Sequence, residues 1–162
     1  MHNNKRFKQI LCRIKKKGYS LTPQRHEIIK IIAEAKNHPS AIDIYLQVKD
    51  VYPMVSLNTI YKNIAMLLEM HEIREIRTLQ NAVRYDGDIT PHAHVICKNC
   101  RKITDLPFED NSNNNIPEIY VNPKLRKRYG ITDYSIEFYG ICDSCSAIKN
   151  KHSYSRFLPI SA

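Results

Sequence analysis

Apolar positions recur with a helical period up to about Met70 and with a period nearer two beyond it. Phe7, Ile10, Leu11 and Ile14 share one helical face, interleaved with Lys5, Arg6, Lys8, Arg13, Lys15, Lys16 and Lys17 and no acid. This predicts a basic amphipathic helix ending at Gly18. Thr22-Pro23-Gln24 reads as a second helix start, with Thr as cap and Pro in the first turn. Ile28, Ile29, Ile31, Ile32 and Ala35 would form its buried stripe, and Asn37-His38-Pro39 its stop. Ser40 caps a third helix, with Ile42, Tyr45, Leu46 and Val48 or Val51 turned inward, ending before Pro53. Ser56 caps a fourth through about Met70, burying Leu57, Ile60, Ile64, Leu67 and Leu68.

Between Ile73 and Asp86 the pattern suits a hairpin turning at Gln80-Asn81. Short helices followed by a hairpin predict a winged helix-turn-helix, whose second core helix enters the major groove of DNA. That helix is Leu57–Met70, with Asn58, Thr59, Tyr61, Lys62 and Asn63 expected to be exposed and able to reach phosphates or base edges. An ordinary helical bundle is the alternative. From His92 on, Val95-Ile96, Ile103 to Leu106 and Tyr134 to Ile141 read as strands. Residues 107–133 look irregular, with a polar Asn111–Asn115 loop and Pro117 and Pro123 limiting any helix; the tail after Ile148 is polar. The fold class expected is α/β in the α+β sense: a winged-helix domain over 1–85 and a smaller domain over 86–162.

Cys97-x-x-Cys100 and Cys142-x-x-Cys145 each follow an apolar strand-like stretch. Four thiolates from two tight turns satisfy the tetrahedral preference of zinc and close its shell, which makes such a site structural. Unconnected thiols or dithiol redox pairs are the alternatives, and Cys12, alone in the basic helix, is expected to be a buried apolar residue. Asp86, Asp88, His92 and His94 precede the first pair, Asp105 follows it, and His38 lies between helices two and three. On a strand His92 and His94 point to one face. Imidazoles with carboxylates suit Fe(II), Mn(II) or Zn(II); a solvated polar surface is the competing reading.

Composition narrows the partners. The chain has 162 residues and a net charge of +9. Residues 1–84 hold 15 basic and 7 acidic residues, against 10 and 9 in the remainder. A small basic domain finds a natural partner in DNA, where counterion release drives binding; a merely solubilising surface is the alternative. The four glycines, at 18, 87, 130 and 140, fit no phosphate-cradling loop. The longest apolar run, Ile64 to Leu68, is far too short to span a membrane, and no signal peptide is apparent, so a cytoplasmic, membrane-free protein is expected.

Leu21-Thr-Pro-Gln-Arg25, Val55-Ser-Leu-Asn-Thr-Ile-Tyr-Lys-Asn63, Arg84-Tyr-Asp86, His92-Ala-His-Val-Ile-Cys97-Lys-Asn-Cys100 and Tyr139-Gly-Ile-Cys142-Asp-Ser-Cys145 resemble, in order, the motifs of the ferric uptake regulator (Fur) family over roughly residues 5–148. The resemblance implies a non-enzymatic, homodimeric, metal-dependent repressor that binds a double-stranded operator. It further implies a C-terminal dimerisation domain holding structural zinc, and a regulatory Fe(II) or Mn(II) bound by His38, Asp86, His92, His94 and Asp105. Arg25 and Tyr61 are expected to touch DNA. Asp at 105, where iron-uptake members usually carry Glu, resembles the peroxide-sensing branch (PerR). In that branch Fe(II) and hydrogen peroxide oxidise a ligand histidine, here His38 or His92, and repression ends; Mn(II) resists this. Iron-uptake or zinc-uptake regulation is the alternative, and a zinc-ribbon adaptor for proteins is a rival of another class. A metallohydrolase fits less well, because it leaves the recognition-helix motif unexplained. Many members carry an additional metal site, but its positions here hold Pro91, Ala93 and Asp133 or Tyr134, so that site is expected to be missing.

Overall fold

A computed structural model describes residues 2–78, 82–107, 122–132 and 134–147. The hairpin tip at Gln80-Asn81, the Asn111–Asn115 loop, Pro117, Asp133 and the tail from Ile148 lie outside the described residues. The chain divides into two compact units, Met1–Thr90 and Pro91–Ala162.

The first unit contains α1 (His2–Lys16), α2 (Pro23–Glu34), α3 (Ala41–Val51), α4 (Leu57–Glu69), β1 (Arg74–Arg77) and β2 (Val83–Asp86). Local side-chain chemistry sets the boundaries. Thr22, Ser40 and Ser56 accept the backbone N–H of Arg25, Asp43 and Thr59, satisfying donors that the first helical turn leaves open. Gly18 ends α1 at φ +83°, with its own N–H on the Lys15 carbonyl and that of Tyr19 on the Ile14 carbonyl, a Schellman turn. His71 closes α4 with the same bond pattern at φ +54°. β1 and β2 pair antiparallel, Arg74 opposite Asp86, completing a winged helix-turn-helix.

Ile10, Ile14, Ile28, Ile29, Ile32, Ile44, Val48, Ile60 and Leu67 form the buried centre. α3 departs from expectation. It buries Ala41, Ile44 and Val48, while Ile42, Leu46 and Val51 are exposed. The helix is apolar on two sides, and packing selects the face on which small Ala41 allows close approach.

Glu72 is a second departure. It is only 1% exposed, and two arginines of the basic helix reach it, Arg6 from a largely buried position and Arg13 from the surface. Arg6 Nη1 lies 3.0 Å and Arg13 Nη1 3.1 Å from its carboxylate. Arg6 also donates to the carbonyls of Glu72 and Gly87. Part of the positive charge in α1 is therefore structural and fastens the helix to the start of the hairpin. Cys12, expected to be buried, is exposed on the same helix, off the face that carries Ile10 and Ile14 into the core. Removing one partner of a buried pair leaves the other without compensation. Glu72→Ala is expected to cost the first unit about 3–5 kcal/mol in urea unfolding. A loss no larger than that of an exposed substitution would show that the Arg6–Glu72 pair does not hold α1.

The second unit contains β3 (Ala93–Cys97), β4 (Ile103–Leu106), α5 (Pro123–Tyr129) and β5 (Glu137–Gly140). Its sheet order is β4-β3-β5, with β4 antiparallel and β5 parallel to β3. α5 starts on Pro123, capped by Asn122, and ends at Gly130 in the left-handed region. It buries none of its residues within this chain.

Candidate metal centres and nucleic-acid interface

The four-cysteine cluster follows from the sheet. Because β3 and β5 run parallel, with Cys97 opposite Gly140, their C-terminal ends meet at one edge of the sheet. Each strand leads there into one Cys-x-x-Cys turn. The Lys98 N–H on the Gly140 carbonyl, 2.8 Å, ties the turns together. In the first turn Arg101 takes φ +64° and donates its N–H to the Cys97 carbonyl. In the second, Cys142 opens a helical turn over 143–147. The Sγ atoms of Cys97, Cys100, Cys142 and Cys145 all lie within 4.8 Å of one another, with Cys100 and Cys142 3.6 Å apart. Sulfurs at the corners of a zinc tetrahedron stand about 3.8 Å apart, so the donor set fits that ion.

The electrostatics agree. The backbone N–H of Cys142, 3.4 Å from Cys97 Sγ, is the main influence drawing that thiol down to about 6, helped by the N–H of Cys100. At Cys142 the backbone of Cys145 pulls downward, but the sulfurs of Cys100 and Cys145 outweigh it and push the thiol up to about 11. One thiolate is favoured and further ionisation is opposed by crowding, which a divalent cation relieves. Asn99 Nδ2 donates to Cys145 Sγ at 3.2 Å, a supporting contact for that ligand.

The His/Asp residues form one group in each unit. In the second unit, His94 on β3 stands opposite Asp105 on β4. His92 Nε2 and His94 Nε2 are 3.0 Å apart, and they lie 3.6 and 3.7 Å from Asp105 Oδ1. The two histidines share a face as strand alternation requires, and the antiparallel register supplies the carboxylate. Three nitrogen and oxygen donors converge there, a fit for Fe(II), Mn(II) or Zn(II). In the first unit, His38 Nε2 is 3.9 Å from Asp86 Oδ1, and both side chains are almost fully buried. His38 holds φ +49°, a region that few non-glycine residues occupy and that clusters at functional sites. Asp88, grouped with these residues by sequence, is instead a turn residue: its carboxylate accepts the N–H and hydroxyl of Thr90.

On α4, Asn58, Tyr61 and Lys62 are exposed, and Thr59 is half-buried with its hydroxyl 2.9 Å from Ser56 Oγ. Asn63 is not exposed as expected. It is buried, its Nδ2 donating to the Thr59 carbonyl at 2.7 Å and its Oδ1 accepting Arg25 Nε at 2.7 Å. Arg25 also donates to the Ser20 carbonyl, and its guanidinium lies 5.9 Å from the centre of the Tyr19 ring. Helical spacing alone put Asn63 near the polar face; only the tertiary partner on α2 accounts for its burial. No helix among the described residues is long and apolar enough to cross a membrane.

Comparison with known proteins gives this geometry a context. The chain is 29% identical over 144 residues to the peroxide operon regulator of Bacillus subtilis, covering 89% of this chain and 96% of that protein. It is 33% identical to the Campylobacter jejuni peroxide stress regulator, whose crystal structure superposes with a TM-score of 0.61 over 85% of this chain and 97% of the other. The Helicobacter pylori ferric uptake regulator shares the fold at a TM-score of 0.66 and 19% identity, over 90% and 95% of the two chains. The relatives so matched are regulators rather than enzymes. The model of the ferric uptake regulator family matches residues 16–139, a span that runs from α2 into β5 and takes in both histidine–aspartate groups and the first cysteine pair, and the chain belongs to that family.

Proposed function

We propose that the chain is a metal-dependent transcriptional repressor that binds operator DNA as a homodimer and loses that binding when peroxide oxidises its iron form. The observation that carries this reading is Asp105 standing opposite His94 beside His92, in a chain related to peroxide regulators. His38 and Asp86 from the first unit and His92, His94 and Asp105 from the second are the ligands of one regulatory ion. An ion held by residues of both units favours one arrangement of them, and only one arrangement fits two half-sites of a two-fold operator. The DNA face is α4, with Asn58, Thr59, Tyr61 and Lys62, together with Arg25, which Asn63 holds in orientation. The first unit's excess of basic residues supplies the salt-sensitive attraction. Leu125, Tyr129, Phe138, Tyr139 and Ile141, all exposed in this single chain, supply the apolar surface through which two copies pair. The cytoplasm, where reduced thiols and DNA coexist, is the working compartment.

Ferrous iron, when bound, supplies the reducing power that hydrogen peroxide consumes. The protein's part would be to hold imidazoles against the ion: His38 or His92 would then be the ring that gains one oxygen atom from peroxide, the other oxygen leaving as water, because a short-lived oxidant attacks what lies nearest. A ring so oxidised would be a poorer ligand, which would weaken metal binding and release the operator. Treatment of the Fe(II) protein with stoichiometric peroxide is expected to add one oxygen to the peptide containing His38 or His92, with loss of operator binding; the Mn(II) protein stays unmodified. If neither peptide gains mass while DNA binding persists, peroxide sensing gives way to iron- or zinc-uptake regulation.

A further inference from the structure

The His38–Asp86 pair is the last rung of a short zipper. The Tyr85 N–H on β2 donates to the Pro39 carbonyl at 3.0 Å. One residue further along each segment, Ser40 caps α3, and Asp43 closes a capping box with it. Ser40 N and Ser40 Oγ donate to Asp43 Oδ2 at 2.8 and 2.7 Å, and the Asp43 N–H donates to Ser40 Oγ at 3.2 Å. The same Oδ2 receives Arg84 Nη1 from β2 at 2.8 Å. Residues 38, 39 and 40 therefore face 86, 85 and 84 in antiparallel order. Two rungs are made by Pro39–Tyr85 and by Ser40–Asp43–Arg84, and the third sets His38 Nε2 against Asp86 Oδ1 at 3.9 Å.

We propose that Asp43 and Arg84 are positioning residues for the regulatory metal, zipping the 38–40 segment onto β2 so that His38 faces Asp86 before any ion arrives. The inference rests on the reading of His38 and Asp86 as ligands and adds what holds them. His38 needs such a restraint. Its φ of +49° is unfavourable for a residue with a Cβ, and the residue before a proline is biased toward extended backbone. Without the ion pair the segment can relax toward that backbone and carry the imidazole away from Asp86. Burial raises the Asp43 carboxyl pKa, but the Ser40 donors and Arg84 together hold it below its ordinary value, so the carboxylate is charged and engaged throughout the neutral range. Asp43 and Arg84 are each partly exposed, so their removal perturbs the zipper more than the core.

The test uses full-length protein with its zinc in place, comparing Asp43→Asn, Arg84→Met, their combination and Arg84→Lys. Mn(II) affinity is read from the spin resonance of the free ion, and hydrogen exchange of the Tyr85 amide is read in protein without Mn(II). Each single variant is expected to weaken Mn(II) binding about 10- to 100-fold, the range for contacts that orient a ligand. The double variant is expected to be no weaker than the worse single, because both remove one interaction. Arg84→Lys keeps a cation within reach of a single oxygen and restores most of the affinity. Tyr85 loses amide protection in the weak variants while α4 keeps its own, which a general loss of stability would not produce. Unchanged Mn(II) affinity overturns the proposal, whether or not Tyr85 protection falls. His38→Ala separates the two levels. If it abolishes Mn(II) binding while Asp43→Asn and Arg84→Met do not weaken it, the zipper has no role and the ligand assignment stands. If it binds Mn(II) like the parent, the ligand assignment fails and takes the proposal with it.

Discussion

A Cys100→Ser protein is expected to lose its zinc and, with it, the folded state of the second unit, while the first unit keeps its helices. The buried apolar set explains the asymmetry. Among the described residues the first unit buries a cluster from Ile10 to Tyr85, whereas the second buries, besides His94, only Ala93, Ile96, Cys97, Ile103 and Cys145, two of which are zinc ligands. So small a core does not sustain a domain, and metal binding worth about 10–16 kcal/mol in small zinc domains is then folding energy. Cys100 is the informative position because it is exposed: serine there removes a ligand sulfur without opening a cavity. The expected result is a metal-to-protein ratio near zero, a monomer in sedimentation, and amide exchange that collapses over β3, β4 and β5 but not over α2 and α4. A variant with full zinc and an intact dimer would refute the structural assignment.

What the sequence made legible follows the range of the interactions. Helix starts at Thr22, Ser40 and Ser56 depend on a side chain and an N–H three residues away, so they could be read directly. The cysteine pairs were equally plain, because each pair is a local turn; the parallel partnership of β3 and β5 that brings them together appears only in the fold. His92 and His94 announce a shared face through strand alternation, whereas the place of Asp105 opposite His94 needs the register of β4. Features resting on distant partners were hidden. Nothing near Glu72 in sequence says that Arg6 and Arg13 will come to it, and nothing near Asn63 points to Arg25. The face of α3 was misread because Ile42 and Leu46 offer as good an apolar stripe as Ala41, Ile44 and Val48, and hydropathy contains no term for close approach. Asp86 and His38 belong to the His/Asp set visible in the sequence, but the sequence by itself does not separate Asp86 from Asp88 or tie a histidine in a helix–helix loop to the others; only the family resemblance does.

In an Asp105→Ala protein, operator binding is expected to stop responding to Mn(II). Asp105 sits on β4, in the second unit, while the proposed DNA contacts lie on α2 and α4 in the first. Its removal should therefore leave the weak, metal-free affinity for DNA unchanged and abolish only the gain that metal brings. That gain is a coupling free energy, and couplings of this kind amount to about 5- to 150-fold in affinity. Reciprocity makes the test stringent: operator DNA must tighten Mn(II) binding to the parent by the same factor by which Mn(II) tightens DNA, and both factors must fall to unity together in the variant. Salt offers a second check. Since Asp105 touches no phosphate in this scheme, the slope of log affinity against log salt should be the same for the variant and the metal-free parent. Arg25→Ala should instead flatten that slope if it contacts phosphate, or relax operator preference if it contacts a base. Two titrations by fluorescence anisotropy, with and without Mn(II), decide the matter. An Asp105→Ala protein that still gains affinity with metal places the regulatory ion elsewhere. One that loses metal-free affinity as well shows that Asp105 supports the fold of the dimer rather than the coupling between metal and DNA.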